Sequence, residues 1–204
     1  MKMKFNKVLA LAPHTDDIEI GCGGLLSKLK STAHIDAIAF TEAQPLSTGS
    51  PVDEFKESMK IVNATTKFMN LKPRIMNEQR QIILDMLWKL NNEVKYDLVL
   101  CPSSSDMHQD HQVIYNECFR AFKTTTIFGY ELLWNTRSFK TDIFVALKEE
   151  HLNEKFNMID CYKTQGERIF MSKDYVFDIA RTRGLQVGCK YAEAYEAIRI
   201  VDSL

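Results

Sequence analysis

The chain has 204 residues, of which 45% are hydrophobic and 26% charged, and its formal net charge at pH 7 is -1. This length suits one globular domain over residues 1–204 with a sizeable core, and the composition excludes a disordered or fibrous chain. The balanced charge gives no indication of a nucleic-acid partner, which would require a clustered basic face.

Short apolar runs alternate with amphipathic helical patterns from the N-terminus to residue 130. The runs predicted as strands are Lys7 to Ala12, Ile35 to Phe40, Thr66 to Leu71, Asp97 to Cys101 and Thr126 to Tyr130. Helical spacing is found after Gly24, from Asp53 to Asn63, from Glu78 to Val94 and from His108 to Lys123. This alternation predicts an α/β fold with a mostly parallel sheet, right-handed crossovers and helices on both faces.

The pattern is less regular after residue 140. We predict a strand from Asp142 to Leu147 and helices from Glu149 to Tyr162 and from Lys173 to Arg183. The segment from Ala192 to Ile200 fits a helix or a strand. The segment from Glu42 to Pro51 is rich in Ser, Thr, Pro and Gly, which predicts a mobile loop.

The chain shows no sign of export or of a membrane span. The five cysteines are odd in number and widely spaced, with no CxxC pair, which fits a reducing compartment better than a disulfide framework. No stretch approaches the ~20 apolar residues of a membrane helix, and the first apolar run is too short for a signal peptide. We therefore expect a cytoplasmic protein.

Two polar clusters follow predicted strands. His14, Asp16 and Asp17 come directly after the first strand, and His108, Asp110 and His111 follow the fourth across a short polar loop. Ligands of open α/β sheets bind outside the carboxyl ends of strands. Imidazole nitrogens and carboxylate oxygens suit a divalent metal, zinc above all, although two histidines and one carboxylate also suit Fe(II).

A simpler interpretation of each cluster remains open. Asp16, Asp17 and Asp110 each lie near the expected start of a helix, where aspartate often caps the first turn. One cluster alone carries little weight, whereas two clusters at the same edge of one sheet favour a catalytic site.

The motifs resemble those of a known enzyme family. LALAPHTDDIEIGCGG resembles the (A/P)HxDD motif and the following Gly-rich turn of the LmbE/PIG-L family of zinc-dependent N-acetylglucosaminyl deacetylases. SSSDMHQDH resembles the family's HxDH motif, and GLQVGCKYAEAYEAIRI resembles its C-terminal stretch. The three motifs occur in the family's order. The resemblance implies a Rossmann-like three-layer sandwich and suggests a homo-oligomer.

The resemblance also implies roles for the polar residues. The residues that match metal ligands are His14, Asp17 and His111. The residue that matches the general base is Asp16. His108 matches the histidine that stabilises the oxyanion or protonates the leaving amine, and Asp110 matches a residue that orients a histidine.

The expected substrate contacts are less well defined. The family's arginine on the second helix has no counterpart between Ser50 and Glu54, and Arg80 is a candidate substitute whose alternative is a solvated helix position. Ser105 lies in a polar loop that could line the substrate mouth. Tyr130 and Glu131, in the stretch GYELLWN with Trp134, could contact a sugar ring or pack in the core.

Three functions follow from these observations. The leading hypothesis is a metal-dependent hydrolase that removes the acetyl group from an N-acetylated amino sugar. The second keeps the metal site but cleaves another small amide or ester. The third is a non-catalytic binding module with the same fold, against which Asp16 argues because metal binding does not need it.

Overall fold

A computed structural model describes residues 3–202, which form a seven-stranded sheet between two layers of helices. The strands are β1 (Lys7–His14), β2 (His34–Thr41), β3 (Thr65–Phe68), β4 (Leu98–Pro102), β5 (Thr126–Tyr130), β6 (Ile143–Leu147) and β7 (Tyr191–Arg199). The helices are α1 (Asp17–Leu29), α2 (Pro51–Lys60), α3 (Arg80–Val94), α4 (Gln109–Ala121), α5 (Glu149–Asp160) and α6 (Lys173–Gln186).

The sheet has the order β3-β2-β1-β4-β5-β7-β6. The first five strands pair in parallel, and β7 is antiparallel to both of its neighbours. The predicted α/β fold with a mostly parallel sheet is confirmed. The segment from Ala192 to Ile200, which the sequence left between helix and strand, is strand β7, because pairing with two strands outweighs the helix preference of its Ala and Glu residues.

Side-chain alternation along β1 places apolar groups on both faces of the sheet. Val8, Ala10 and Ala12 belong to one buried cluster, which α1, α2, α5 and α6 cover. Leu9 and Leu11 belong to a second buried cluster, against α3 and α4. A strand buried on both faces is an unbroken apolar run rather than an alternating one, which explains the sequence KVLALA.

The glycines after the first cluster lie inside α1 and do not form the expected Gly-rich turn. A Cβ atom at Gly21 would lie 2.4 Å from Cδ2 of Tyr130, and one at Gly24 would lie 2.5 Å from Cδ1 of Leu147. Glycine inside a helix costs about 1 kcal/mol relative to alanine. Here it allows α1 to approach the sheet closely.

Helix α1 is also held by a buried carboxylate from the last strand. Glu193 accepts hydrogen bonds from the backbone N–H of Gly24 at 2.9 Å and of Leu25 at 2.7 Å. Lys155 of α5 donates to the same carboxylate at 2.6 Å. The C-terminal motif therefore fixes the helix that begins at the first polar cluster.

Among residues 3–202, no helix has the length and apolar character needed to cross a bilayer.

Candidate metal centre and active site

Both polar clusters lie at the point where the strand order reverses. The chain runs from β1 to β2 and β3 on one side, and β4 and β5 lie on the other side of β1. β1 ends at His14, and the polar loop before α4 follows β4 directly. A crevice forms outside the carboxyl ends of the strands at such a point, so topology brings the two clusters together.

Three of the predicted ligand atoms form a nearly equilateral triangle. His14 Nδ1 lies 3.1 Å from His111 Nε2. The Oδ2 atom of Asp17 lies 3.3 Å from each of these nitrogens. It also accepts the backbone N–H of His14 at 2.8 Å, which fixes the carboxylate in place.

This triangle fits a divalent ion. A tetrahedral zinc ion with bonds of about 2.0–2.1 Å holds neighbouring ligand atoms about 3.3–3.4 Å apart. The edges of the triangle formed by His14, Asp17 and His111, 3.1 to 3.3 Å, match that spacing. The donor chemistry, two imidazoles and one carboxylate, also suits a catalytic zinc site, in which three protein ligands leave one position open.

A second set of three donors overlaps the first. Ring nitrogens of His14, His108 and His111 lie within 4.8 Å of one another. However, His108 Nδ1 accepts the backbone N–H of Asp110 at 3.2 Å as the cap of α4. Burial and the neighbouring His111 and His14 lower the pKa of His108, which favours a neutral ring. With Nδ1 as the acceptor, a neutral ring carries its proton on Nε2, and in that state His108 is a hydrogen-bond donor.

His111 is oriented by a carboxylate to which the sequence analysis gave no such role. Its Nδ1 lies 2.8 Å from Oδ2 of Asp106, which is buried. The other oxygen of Asp106 accepts the backbone N–H of His108 at 2.9 Å. Asp106 thus fixes the tautomer of His111 with Nε2 free for an ion, as carboxylates behind ligating histidines commonly do.

We expect Asp106→Asn to weaken zinc binding by about 10–100-fold, because the amide cannot accept the ring proton as strongly. Competition with a chromophoric chelator measures the dissociation constant. Ser105→Ala, in the same loop, is the matched control and should leave the zinc affinity unchanged. Equal zinc affinities for Asp106→Asn and the unmodified protein would remove Asp106 from the site.

His14 lies among carboxylates on both sides. Its Nε2 is 3.3 Å from Oδ2 of Asp110, which also accepts the backbone N–H of Arg74 at 2.8 Å. Burial alone would lower the pKa of His14, but hydrogen bonds to Asp110 and Asp17 and the charges of Asp17 and Asp16 raise it to about 10. The contacts of Asp110 agree with a residue that orients a histidine, and the cap of α4 is His108.

Asp16 is buried at the wall of the cavity, and its side chain makes no cap hydrogen bond to α1. Asp16 therefore occupies the N-cap position of α1 without capping the helix through its side chain. Burial, together with the charge of Asp17, raises the pKa of Asp16 to about 6. A carboxyl group with a pKa near neutrality is suited to accept and return a proton.

A buried carboxyl group lies beneath the first cluster. Oε1 of Glu19 accepts hydrogen bonds from Ser58 Oγ at 2.6 Å and from the Tyr162 hydroxyl at 2.7 Å. The other oxygen, Oε2, has no hydrogen-bond partner among residues 3–202. Burial raises the pKa of Glu19 to about 8, so the folded protein holds this group protonated.

Glu19→Gln is expected to stabilise the protein increasingly as pH rises from about 5 to 8. The unfolded chain loses the Glu19 proton near its ordinary pKa, whereas the folded protein keeps it up to about 8, so folding stability declines through this window. The amide removes that decline, on the order of 5 kcal/mol in total. Urea unfolding at several pH values measures it. For the exposed Glu57→Gln, the difference in unfolding free energy from the unmodified protein should not change with pH. The same pH-independent difference for Glu19→Gln would contradict the raised pKa.

A cavity of about 490 Å³ opens above the polar clusters. This volume lies within the range of about 300–1,000 Å³ typical of small-molecule sites. Besides the histidines and aspartates, its walls come from the loop after β2 and from six further positions: Pro73, Arg74, Trp134, Asn135, Arg168 and Phe170. The Trp134 and Phe170 rings are stacked, with centroids 3.9 Å apart.

The four predicted substrate contacts lie outside the residues that line this cavity. Arg80 pairs with Glu117, and Glu131 pairs with Arg183. The buried hydroxyl of Tyr130 donates to the carbonyl of Leu11 at 2.8 Å, and Ser105 lies beside Ser103. The structure therefore does not bring these four predicted contacts to the cavity. Trp134, in the same stretch as Tyr130, does line the cavity.

Arg74, Arg168 and Phe170 were missed because each lies in an irregular segment. Neither the hydrophobic periodicity nor a motif points to them. Loops from distant parts of the chain converge at this edge of the sheet, so no local signal in the sequence could have found them.

Comparison with known proteins places these features in context. Residues 9–122 match the sequence profile of the family described as PIG-L: GlcNAc-PI de-N-acetylase. The chain is 27% identical over 168 residues to the "Uncharacterized deacetylase YaiS" of Escherichia coli K12. The aligned region covers 77% of this chain and 90% of that protein.

Solved structures share the fold at low identity. The N,N'-diacetylchitobiose deacetylase of Pyrococcus horikoshii superposes with a TM-score of 0.77 at 18% identity, over 95% of this chain and 84% of that one. GalB of Pseudomonas putida KT2440, a 4-carboxy-2-hydroxymuconate hydratase, superposes with a TM-score of 0.82 at 16% identity, over 98% and 99%. The fold therefore serves more than one reaction.

Proposed function

The chain belongs to the PIG-L family of deacetylases, and from that premise we propose that it is a zinc-dependent hydrolase that removes acetate from an N-acetylated amino sugar. The observation that carries the proposal is the triangle of His14 Nδ1, Asp17 Oδ2 and His111 Nε2 beside the buried Asp16. A single catalytic domain over residues 1–204 and a cytoplasmic location belong to the same proposal.

The metal ligands in this proposal are His14, Asp17 and His111. When bound, the ion supplies a Lewis acid that polarises the acetamide carbonyl and lowers the pKa of a water molecule to about 7. Zinc is favoured by the ligand spacing, and Fe(II) is compatible with the same donors.

The catalytic roles follow from protonation states. Asp16 takes a proton from the attacking water and later returns it to the nitrogen of the leaving amine, for which a pKa of about 6 is suitable. His108 donates a hydrogen bond from Nε2–H to the oxygen on which negative charge develops. Water adds to the carbonyl carbon, the C–N bond breaks, and acetate and the free amine are released.

Asp106 and Asp110 are positioning residues in this scheme. Asp106 contacts His111 Nδ1, and Asp110 contacts His14 Nε2, so each holds the ring of a ligand. Asp110 also holds the loop that carries Arg74 against the cavity.

Acetate release from methyl N-acetylglucosaminide, assayed before and after chelation, tests the proposal. We expect chelation to abolish release and zinc to restore it. His111→Gln should release no acetate, and the exposed His34→Gln is the matched control. Acetate release that survives complete removal of metal would overturn the proposal.

The second candidate is hydrolysis of another small amide or ester at the same site. It keeps the donor triangle and Asp16 in the same roles and changes only the acyl compound that is cleaved. A panel of simple acetamides and acetate esters separates the candidates. Zinc-dependent turnover of the panel without turnover of any amino sugar would favour the second.

A further inference from the structure

Two arginines from distant loops converge on one residue at the mouth of the cavity. Arg74 Nη2 donates to the side-chain oxygen of Gln44 at 2.8 Å, and Arg168 Nη2 donates to the backbone oxygen of Gln44 at 2.9 Å. Gln44 and both arginines line the cavity together with the metal cluster. A guanidinium carries five N–H donors, so each arginine keeps donors for a ligand.

Neither arginine has an anionic partner. Within residues 3–202, no carboxylate lies within 4.0 Å of the Arg74 or the Arg168 guanidinium. Four arginines elsewhere on the protein do pair with a carboxylate: Arg80, Arg120, Arg181 and Arg183. Both guanidiniums contact Gln44 at the cavity, where a ligand can accept their remaining hydrogen bonds.

The backbone holds Arg74 in place at a conformational cost. Arg74 has φ of +66°, a left-handed conformation that non-glycine residues rarely adopt. Its N–H donates to Asp110 at 2.8 Å, and its carbonyl accepts from the Gln109 side chain. Strained backbone of this kind persists where the surroundings enforce it, often at ligand sites. The carboxylate that holds Arg74 also contacts His14.

The position of Arg168 is restrained by an aromatic face. Its guanidinium carbon lies 5.6 Å from the centre of the Phe170 ring, which stacks on Trp134. Cation–π contact of this kind limits the freedom of the arginine. Two acidic residues outside the proposed ligand set, Asp16 and Glu42, also line the cavity, and their negative charges disfavour a bound anion. The positive charges of the two arginines balance them.

We propose that Arg74 and Arg168 form a subsite for an oxyanion of the substrate, a phosphate or a carboxylate next to the N-acetylated sugar. This inference rests on the proposed function. The planar forks of the two guanidiniums bind such oxygens in pairs. The anion binds the N–H donors that the contacts with Gln44 leave free on each guanidinium.

Kinetics on matched substrates test the subsite. The neutral methyl glycoside of N-acetylglucosamine is compared with the 1-phosphate and with the carboxymethyl glycoside, which distinguish phosphate from carboxylate. We expect kcat/KM to be at least about tenfold higher for one of the anionic substrates. Arg74→Gln and Arg168→Gln should each lower the ratio of anionic to neutral kcat/KM about tenfold. Arg181→Gln, on the exposed face of α6, should not change the ratio.

Calorimetry gives a readout that does not depend on turnover. Glucosamine 1-phosphate and inorganic phosphate are titrated into chelator-treated protein, in which no metal can hold the anion. We expect binding that weakens with salt and falls about tenfold in either arginine variant.

The outcomes separate this inference from the proposed function. Acetate release with equal kcat/KM for neutral and anionic substrates would refute the subsite and leave the deacetylase in place. Phosphate binding that depends on both arginines, without release of acetate from any substrate, would support the subsite and refute the deacetylase. An equal loss of kcat on neutral and anionic substrates in both variants would place the arginines at the acetamide and overturn the inference.

Discussion

Replacing Asp16 by asparagine is expected to lower kcat for acetate release by about three orders of magnitude while zinc stays bound in the same amount. Asparagine keeps the shape of the side chain but cannot accept the proton of water. Metal content of the purified variant and steady-state kinetics at saturating substrate measure the two quantities.

The stability of Asp16→Asn separates catalysis from folding. Asp16 is buried beside Asp17, and burial and that charge raise its pKa to about 6. A neutral side chain removes this repulsion, so the melting temperature should stay equal or rise. Asp53→Asn, at an exposed position of α2, is the matched control for turnover. Turnover at the wild-type rate by Asp16→Asn would exclude Asp16 as the base, and loss of zinc would make it part of the metal site.

Asp17→Asn is expected to lose zinc, whereas His108→Gln is expected to keep it, and this difference distinguishes the two possible ligand sets. If the ligands are His14, Asp17 and His111, then Asp17→Asn loses at least about 100-fold in zinc affinity, more than is usual for residues behind a ligand. His108→Gln keeps zinc and loses about two to three orders of magnitude in kcat, because only a donor to the developing oxyanion is removed.

The reverse result would favour the three-histidine set. Retention of zinc by Asp17→Asn together with its loss from His108→Gln would mean that His108 Nε2, and not the carboxylate, faces the ion. Circular dichroism of Asp17→Asn belongs to the same experiment, since this carboxylate also accepts the backbone N–H of His14. A folded variant without zinc is the expected outcome.

The similarity to a hydratase makes the residues of the site, and not the fold, the basis for function. A common fold hosts unrelated reactions by changing the groups at the ends of its strands. In this chain those groups are a buried carboxyl with a pKa of about 6 and a donor triangle of metal-site dimensions. Both features support the proposed hydrolysis at a divalent ion.

Much of the fold was determined by local patterns in the sequence. The run KVLALA has apolar residues on both faces, as expected of a strand that helices cover on both sides, and it forms the interior strand β1. The polar clusters after β1 and β4 could be assigned to one edge because parallel strands end on the same side. Motif order supplied the family, which the profile match over residues 9–122 confirms.

The remaining features depended on contacts between residues far apart in the chain. The strand β7 is a strand because it pairs with β5 and β6, although its Ala and Glu residues favour a helix. Tyr130 is an aromatic residue of the kind that binds sugars, yet its buried hydroxyl donates a hydrogen bond to the carbonyl of Leu11. Arg74 and Arg168 lie 94 positions apart and meet only because loops from opposite ends of the sheet converge at Gln44.

The proposed metal ligands depend partly on local sequence and partly on tertiary contacts. Residue types and strand-end positions in the sequence were sufficient to nominate His14, Asp17 and His111. Tertiary structure alone set the distances among their donor atoms and placed Asp106 behind His111. Local sequence determines which donors are present, whereas the packing of β1 against β4 determines how far apart they are.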